Sequence, residues 1–242
     1  MLHHLASLPL APLLMLQGRR VRASLLQLPE ADGPRRGVSG SGPPLKLMIV
    51  GDSSAAGVGA AHQDEALLGR TVAALAQRYE VDYRLVATSG ARTELILRRL
   101  TRMPSTPVDV VVTVLGVNDV TAGTGTRRWR KLQRAVIDAL VLRHDVGQVI
   151  VCGLPPMWGF PALPQPLRWY LGARAGALNA AARKVAAGRG ADFLPLDFCL
   201  DDTLMAGDGF HPGPAIYAEW GKRLAAMITP PSPTAGAAQA GP

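Results

Sequence analysis

Leu45-Lys46-Leu47-Met48-Ile49-Val50-Gly51-Asp52-Ser53-Ser54 is the stretch from which the fold is read. A short apolar run, broken only by Lys46 and closed by a glycine and three polar residues, reads as a strand buried on both faces. Outward from it, short apolar runs alternate with longer amphipathic ones. Strands are expected at about 45 to 50, 82 to 88, 108 to 115, 148 to 153 and 191 to 196, and helices at about 64 to 79, 93 to 102, 127 to 143, 168 to 187 and 214 to 228. In the first helix Leu67, Leu68, Val72, Leu75 and Ala76 recur at helical spacing. Strand and helix alternating in this way imply right-handed crossovers and a parallel sheet covered on both faces. The predicted fold is α/β: a three-layer α/β/α sandwich around a mostly five-stranded parallel sheet.

Ligands of such sheets bind beyond the carboxyl ends of the strands, so residues just after a strand gather at one edge. Ser53 follows the first strand, Gly90 the second, and Gly116-Val117-Asn118-Asp119 the third; Asp208-Gly209-Phe210-His211 lies beyond the last. A hydroxyl, an imidazole and a carboxylate three residues before that imidazole supply a nucleophile, a base and an orienting group. Gly90 and Asn118 supply hydrogen-bond donors for a developing oxyanion. Among the other histidines, His144 precedes a strand and falls at the opposite edge, while His3 and His4 belong to the N-terminal segment. His62, nine residues past Ser53 with Asp64 beside it, is the rival base. His211 is preferred because Asp208 can bend back to it within one turn. The combination points to acyl transfer through serine. Gly57-Val58-Gly59 lacks the third glycine of a dinucleotide loop, with His62 in its place.

Gly51-Asp52-Ser53, Gly90, Gly116-Val117-Asn118-Asp119 and Asp208-Gly209-Phe210-His211, in this order, resemble the four blocks of the GDSL or SGNH hydrolase family. The likeness spans residues 45 to 228 and departs at Ser54, where the family usually has leucine. It implies the flavodoxin-like SGNH hydrolase fold and a serine hydrolase that cleaves carboxylic esters of short to medium acyl chain through an acyl-enzyme. Ser53, Asp208 and His211 would be catalytic. The backbone N–H groups of Ser53 and Gly90 and the side-chain amide of Asn118 would form the oxyanion hole, and no metal or cofactor is called for. An acyltransferase, a thioesterase or a carbohydrate deacetylase would use the same scaffold. A non-catalytic binding protein is the alternative of another class, disfavoured because all five residues are present together.

The 26 Lys and Arg against 18 Asp and Glu give a charge of +8, but the arginines are spread over helix faces and only 5% of residues are aromatic. No nucleic-acid partner is therefore expected; the resemblance implies a small-molecule ester as substrate. Residues 1 to 44 form an apolar and basic segment followed by a linker, residues 45 to 228 the hydrolase domain, and residues 229 to 242, rich in Pro, Ala and Gly, a disordered tail. The apolar stretch Leu5 to Leu16 is too short to span a bilayer, and its arginines follow it, unlike those of a secretory signal. It is read either as a helix packed on the domain or on a second copy of the chain, or as a peripheral membrane contact, and the location as cytoplasmic. Residues 30 to 44, rich in Gly, Pro and Ser, are expected to build no regular element. Cys152 and Cys199 show no metal or disulfide spacing. The segment from Pro155 to Tyr170, with Trp158 and Trp169, leaves a strand on the active side, and reads equally as packing over the sheet edge or as a wall for the acyl chain.

Overall fold

The computed structural model describes residues 2–198, 200 and 203–229, with side chains from residue 9 onward. Cys199 and all of the expected tail except Thr229 lie outside the described residues. The elements run α1 (Leu2–Ser24), β1 (Arg36–Ser39), β2 (Pro44–Gly51), α2 (Ser53–Ala56), α3 (Leu67–Leu75), β3 (Glu80–Ala87), α4 (Thr93–Arg102), β4 (Val110–Val114), α5 (Val117–Thr121), α6 (Thr126–His144), β5 (Gln148–Cys152), α7 (Leu167–Ala187), β6 (Asp192–Leu194) and α8 (Pro214–Met227). The sheet order is β1-β3-β2-β4-β5-β6. Strands β2 to β6 are parallel; β1 pairs antiparallel with β3, with Arg36 opposite Arg84 and Ser39 opposite Val81. This is the expected α/β sandwich with a sixth strand at its edge.

That strand corrects the reading of residues 30 to 44 as devoid of regular structure. Arg36-Gly37-Val38-Ser39 has no apolar alternation because an edge strand binds on one side only, and its exposure alternates accordingly. What holds it is backbone pairing, aided by Gly37, where a Cβ would lie 2.7 Å from the Tyr83 hydroxyl.

Strand β4 is buried at all five positions and β2 at six of eight, as central strands covered by helices should be. One core cluster joins Leu45, Leu47 and Ile49 to Leu67 and Leu75 of α3 and to Tyr217 and Leu224 of α8. On the other face Met48 and Val50 pack with Ile96 and Leu100 of α4 and Ile137 and Leu140 of α6. Strand β2 therefore carries both layers, and it lies where the chain order reverses, between β3 and β4. In open α/β sheets that crevice is where ligands sit.

Helix α1 lies against α7. Leu14 is buried, and Leu10 and Val21 pack on the same cluster as Leu167, Leu171 and Ala175. The Gln17 side chain fixes the register: its Nε2 donates to the Gln165 carbonyl at 2.7 Å, and its Oε1 accepts from the Leu167 N–H at 3.1 Å. The helix packs on the domain, as one reading of this stretch expects. Leu13, Met15 and Leu16 remain exposed. No helix of the described residues is long and apolar enough to cross a membrane.

Candidate active site

Strand β2 ends at Gly51, and the chain turns at once into the single turn of α2. Asp52 caps it, its Oδ1 accepting the Ser54 N–H at 3.1 Å. The turn sets Ser53 at the carboxyl edge of the sheet. From the far end of the chain, the loop before α8 brings His211 to it: Nε2 lies 2.9 Å from Ser53 Oγ, and Nδ1 lies 2.5 Å from Asp208 Oδ2. Asp208 Oδ1 also accepts the N–H groups of Phe210 and His211, each at 2.9 Å. Burial would raise the Asp208 carboxyl, but these three hydrogen bonds prevail and hold it below its ordinary value. It stays an anion facing the imidazole.

Four contacts hold the histidine loop in place. Gly59 has φ +101°, and a Cβ there would lie 2.2 Å from the Pro212 carbonyl, so the loop after α2 and the loop bearing His211 can meet only through a glycine. The Tyr217 hydroxyl, from α8, donates to the Val58 carbonyl at 2.7 Å. The Ala162 N–H donates to the Gly209 carbonyl at 3.1 Å, and Phe160 meets Phe210 edge to face at 5.0 Å. The segment from Pro155 onward is thus packed over the sheet edge and walls the site, both at once.

Gly90 and Asn118 border the same groove as Ser53 and His211. Neither the Ser53 nor the Gly90 N–H has a protein acceptor among the described residues. Gly90 has φ +75°, and a Cβ there meets nothing within 4 Å, so the backbone conformation, not crowding by the protein, calls for glycine. Asn118 Nδ2 donates to the Ala91 carbonyl at 3.2 Å and to Asp52 Oδ2 at 3.3 Å. Its donation to an oxyanion therefore requires sharing or exchange, most easily of the longer contact. Asp119 serves structure: buried, it accepts the Thr93 N–H at 3.0 Å and the Thr93 hydroxyl at 2.8 Å at the start of α4.

His62 stands apart from this group. Its Nδ1 lies 3.1 Å from Asp64 Oδ2, and its ring packs beside Gly33. His144 is buried behind β5, at the opposite edge.

Two residues near the site escape a reading of the sequence. Asp52 is 2% exposed, and burial, reinforced by Asp119, pushes its carboxyl up to about 7 against the pull of Ser54, His211 and Asn118. A capping Asp ahead of a helical turn is a legible signal; its burial is not. Glu30, in the supposed linker, accepts the Ser89 N–H at 2.7 Å and the Ser89 hydroxyl at 2.8 Å, and pairs with Arg35. It thereby fixes the residue next to Gly90, and nothing in its sequence context signals this.

Ser53 and His211 sit between two spaces. One is a narrow pocket of about 30 Å³ bounded by Phe160, Leu196, Met205 and Ile216. The other is an open groove of about 770 Å³ that runs between α1 and the loops after β3 and β4.

Residues 49–219 match the family described as GDSL-like lipase/acylhydrolase. A GDSL-like esterase of Mycobacterium tuberculosis is 30% identical over 188 residues; the match covers 72% of this chain and 58% of that protein, so the chain spans less than two thirds of its relative's length. An extracellular lipase of Streptomyces rimosus has a similar fold, with a TM-score of 0.56 at 22% identity over 76% of this chain and 100% of that one. A phospholipase A1 of Streptomyces albidoflavus aligns with a TM-score of 0.57 at 18% identity, over 74% of this chain and 97% of that one.

Proposed function

Because this chain belongs to the GDSL-like lipase/acylhydrolase family, we propose that it is a serine hydrolase cleaving carboxylic esters of short acyl chain through an acyl-enzyme intermediate. The observation that carries this reading is the relay of 2.9 Å from Ser53 Oγ to His211 Nε2 and 2.5 Å from His211 Nδ1 to Asp208. Ser53 Oγ attacks the ester carbonyl carbon as His211 Nε2 takes its proton; the tetrahedral oxyanion falls to the N–H groups of Ser53 and Gly90 and the Asn118 amide. Collapse breaks the carbon–oxygen bond to the alcohol, which leaves with the proton from His211. Water then repeats the sequence, releasing the acid and restoring the serine. Asp208 orients the ring and stabilises the imidazolium.

The two spaces suggest which part of the substrate goes where. The alcohol departs first while the acyl group stays bonded to Ser53, so the alcohol needs the open groove and the acyl group suits the narrow pocket. At about 30 Å³ that pocket admits the equivalent of a few water-sized groups, hence the short end of the acyl range. Transfer to another alcohol, thioester cleavage and sugar deacetylation would use the same atoms. A cytoplasmic location is part of the proposal, tested by cell fractionation.

Ser53→Ala should keep the fold and lower p-nitrophenyl acetate turnover by roughly four orders of magnitude or more. Turnover near that of the unaltered protein would identify another nucleophile. A panel of esters graded from acetate to laurate, beside a sugar acetate and a thioester, should favour acetate; a preference for laurate would reverse the placement of acyl group and alcohol.

A further inference from the structure

We infer that the N-terminal helix is part of the substrate site, and that with the loops facing it, it forms a groove for a long apolar alcohol moiety bearing an anionic group, carboxylate or phosphate. This rests on the ester-hydrolase reading above and specifies the substrate of the same site. Helix α1 lies outside residues 49–219, which match the family.

Ala11, Leu14, Gly18, Val21, Arg22 and Leu25 border the groove at the spacing of one helix face. From Ala11 to Arg22 that wall is about 16 Å long, at the rise of about 1.5 Å per residue. Leu163, Leu167 and Leu171, on which α1 packs, also line the groove, and Ser53 and His211 border it. An apolar chain laid along it would keep its ester at the serine. The volume, about 770 Å³, lies in the range of pockets that enclose most of a sizeable ligand.

The charges give the second half of the inference. Three arginines, Arg19, Arg22 and Arg174, border the groove, and among the described residues no aspartate or glutamate does. Arg174 is tied to the Val120 and Thr124 carbonyls, so its charge is fixed in place. Arg19 and Arg22 are exposed, with no ion pair or hydrogen bond among the described residues. An apolar trough with unpaired cations on one rim is complementary to an amphiphilic anion, and charge-assisted hydrogen bonds from guanidinium suit carboxylate and phosphate alike.

The test compares ω-acetoxylaurate with dodecyl acetate, a matched pair differing in the terminal charge, with p-nitrophenyl acetate as the reference for Ser53 chemistry. The full-length protein should hydrolyse the anionic ester with the higher kcat/KM. The double variant Arg19→Glu, Arg22→Glu should lose roughly 5- to 30-fold on ω-acetoxylaurate, through KM, and stay within about twofold on the other two. Gly18→Phe should lower kcat/KM for both long esters about tenfold and spare p-nitrophenyl acetate; a Cβ at Gly18 meets nothing within 4 Å, and replacing a helical glycine does not weaken α1. Dodecyl phosphate should bind Ser53→Ala more tightly than inorganic phosphate does, which reads the groove without turnover.

Equal kcat/KM for the charged and neutral esters, or an equal loss on both in the arginine variant, overturns the inference while leaving the hydrolase reading intact. Retained turnover in Ser53→Ala overturns that reading instead. Sedimentation with anionic vesicles, joined to no discrimination between the soluble esters, would assign the arginines to a membrane surface and also overturn it.

Discussion

Asp52→Asn should gain stability relative to the unaltered protein as the pH rises. The carboxyl of Asp52 is pushed up to about 7 from an ordinary 3.8, first by burial and then by Asp119. A carboxyl raised in the folded state binds more protons folded than unfolded between those two values, so stability falls as pH climbs through that window and levels off above it. The full loss, for a carboxyl moved from 3.8 to about 7, is on the order of 4 kcal/mol, of which roughly 2 to 3 kcal/mol falls between pH 5 and pH 8. Asparagine does not titrate, and its Oδ1 still accepts the Ser54 N–H that caps α2. Urea denaturation of both proteins at pH 5, 6, 7 and 8 isolates the effect, since all other titrating groups cancel in the difference. The stability difference should move toward the variant by roughly 2 to 3 kcal/mol across that range, about 5 to 10 °C in Tm for a chain of this size. A difference that stays flat with pH would mean Asp52 titrates as an ordinary exposed carboxyl and that its burial does not set its charge.

Other expectations concern the oxyanion loop. Glu30→Ala leaves Ser89 without its acceptor, so kcat on p-nitrophenyl acetate should fall roughly ten- to a hundredfold with KM nearly unchanged, and Glu30→Gln, which keeps an acceptor, should recover most of it. Unchanged kinetics in Glu30→Ala would remove Glu30 from the support of this loop. Gly90→Ala should cost about 1 kcal/mol of stability in a thermal melt, from the positive φ alone, because the added methyl meets no protein atom; a loss several times larger would point to a clash.

The residues that were legible in the sequence are those whose signal is local. Helix α4 occupies the expected 93–102, and α6, α7 and α8 lie within a residue of their expected bounds, because amphipathic spacing over ten or more residues has one helical solution. Ser53, Asp208 and His211 could be named because short motifs at strand ends are brought to one edge by the topology, and the structure does bring them together. The meeting of Glu30 with Ser89 spans 59 residues and leaves no trace at either position. The same holds for β1, stabilised by backbone pairing with β3 and not by any pattern of side chains. The close contact of Gly59 with Pro212 was hidden in a Gly-Val-Gly that invites a cofactor reading, because a glycine's reason lies in whatever presses against it. Asp52 was visible as part of a motif, but the water withheld from it was not.

The chain between α1 and β1 is stitched to the catalytic edge at several points: the Gln63 side chain donates to the Ala31 and Ala56 carbonyls at 3.2 and 3.1 Å, and the Gln63 N–H donates to the Asp32 carbonyl at 2.7 Å. A trimmed version starting at β2 would strip acceptors from a buried glutamine as well as the brace beneath Ser89. Shortening this protein to its recognisable portion would therefore damage the machinery it was meant to isolate. New specificity on such a scaffold can arise by altering what leans on it from in front, with the reacting atoms left as they are.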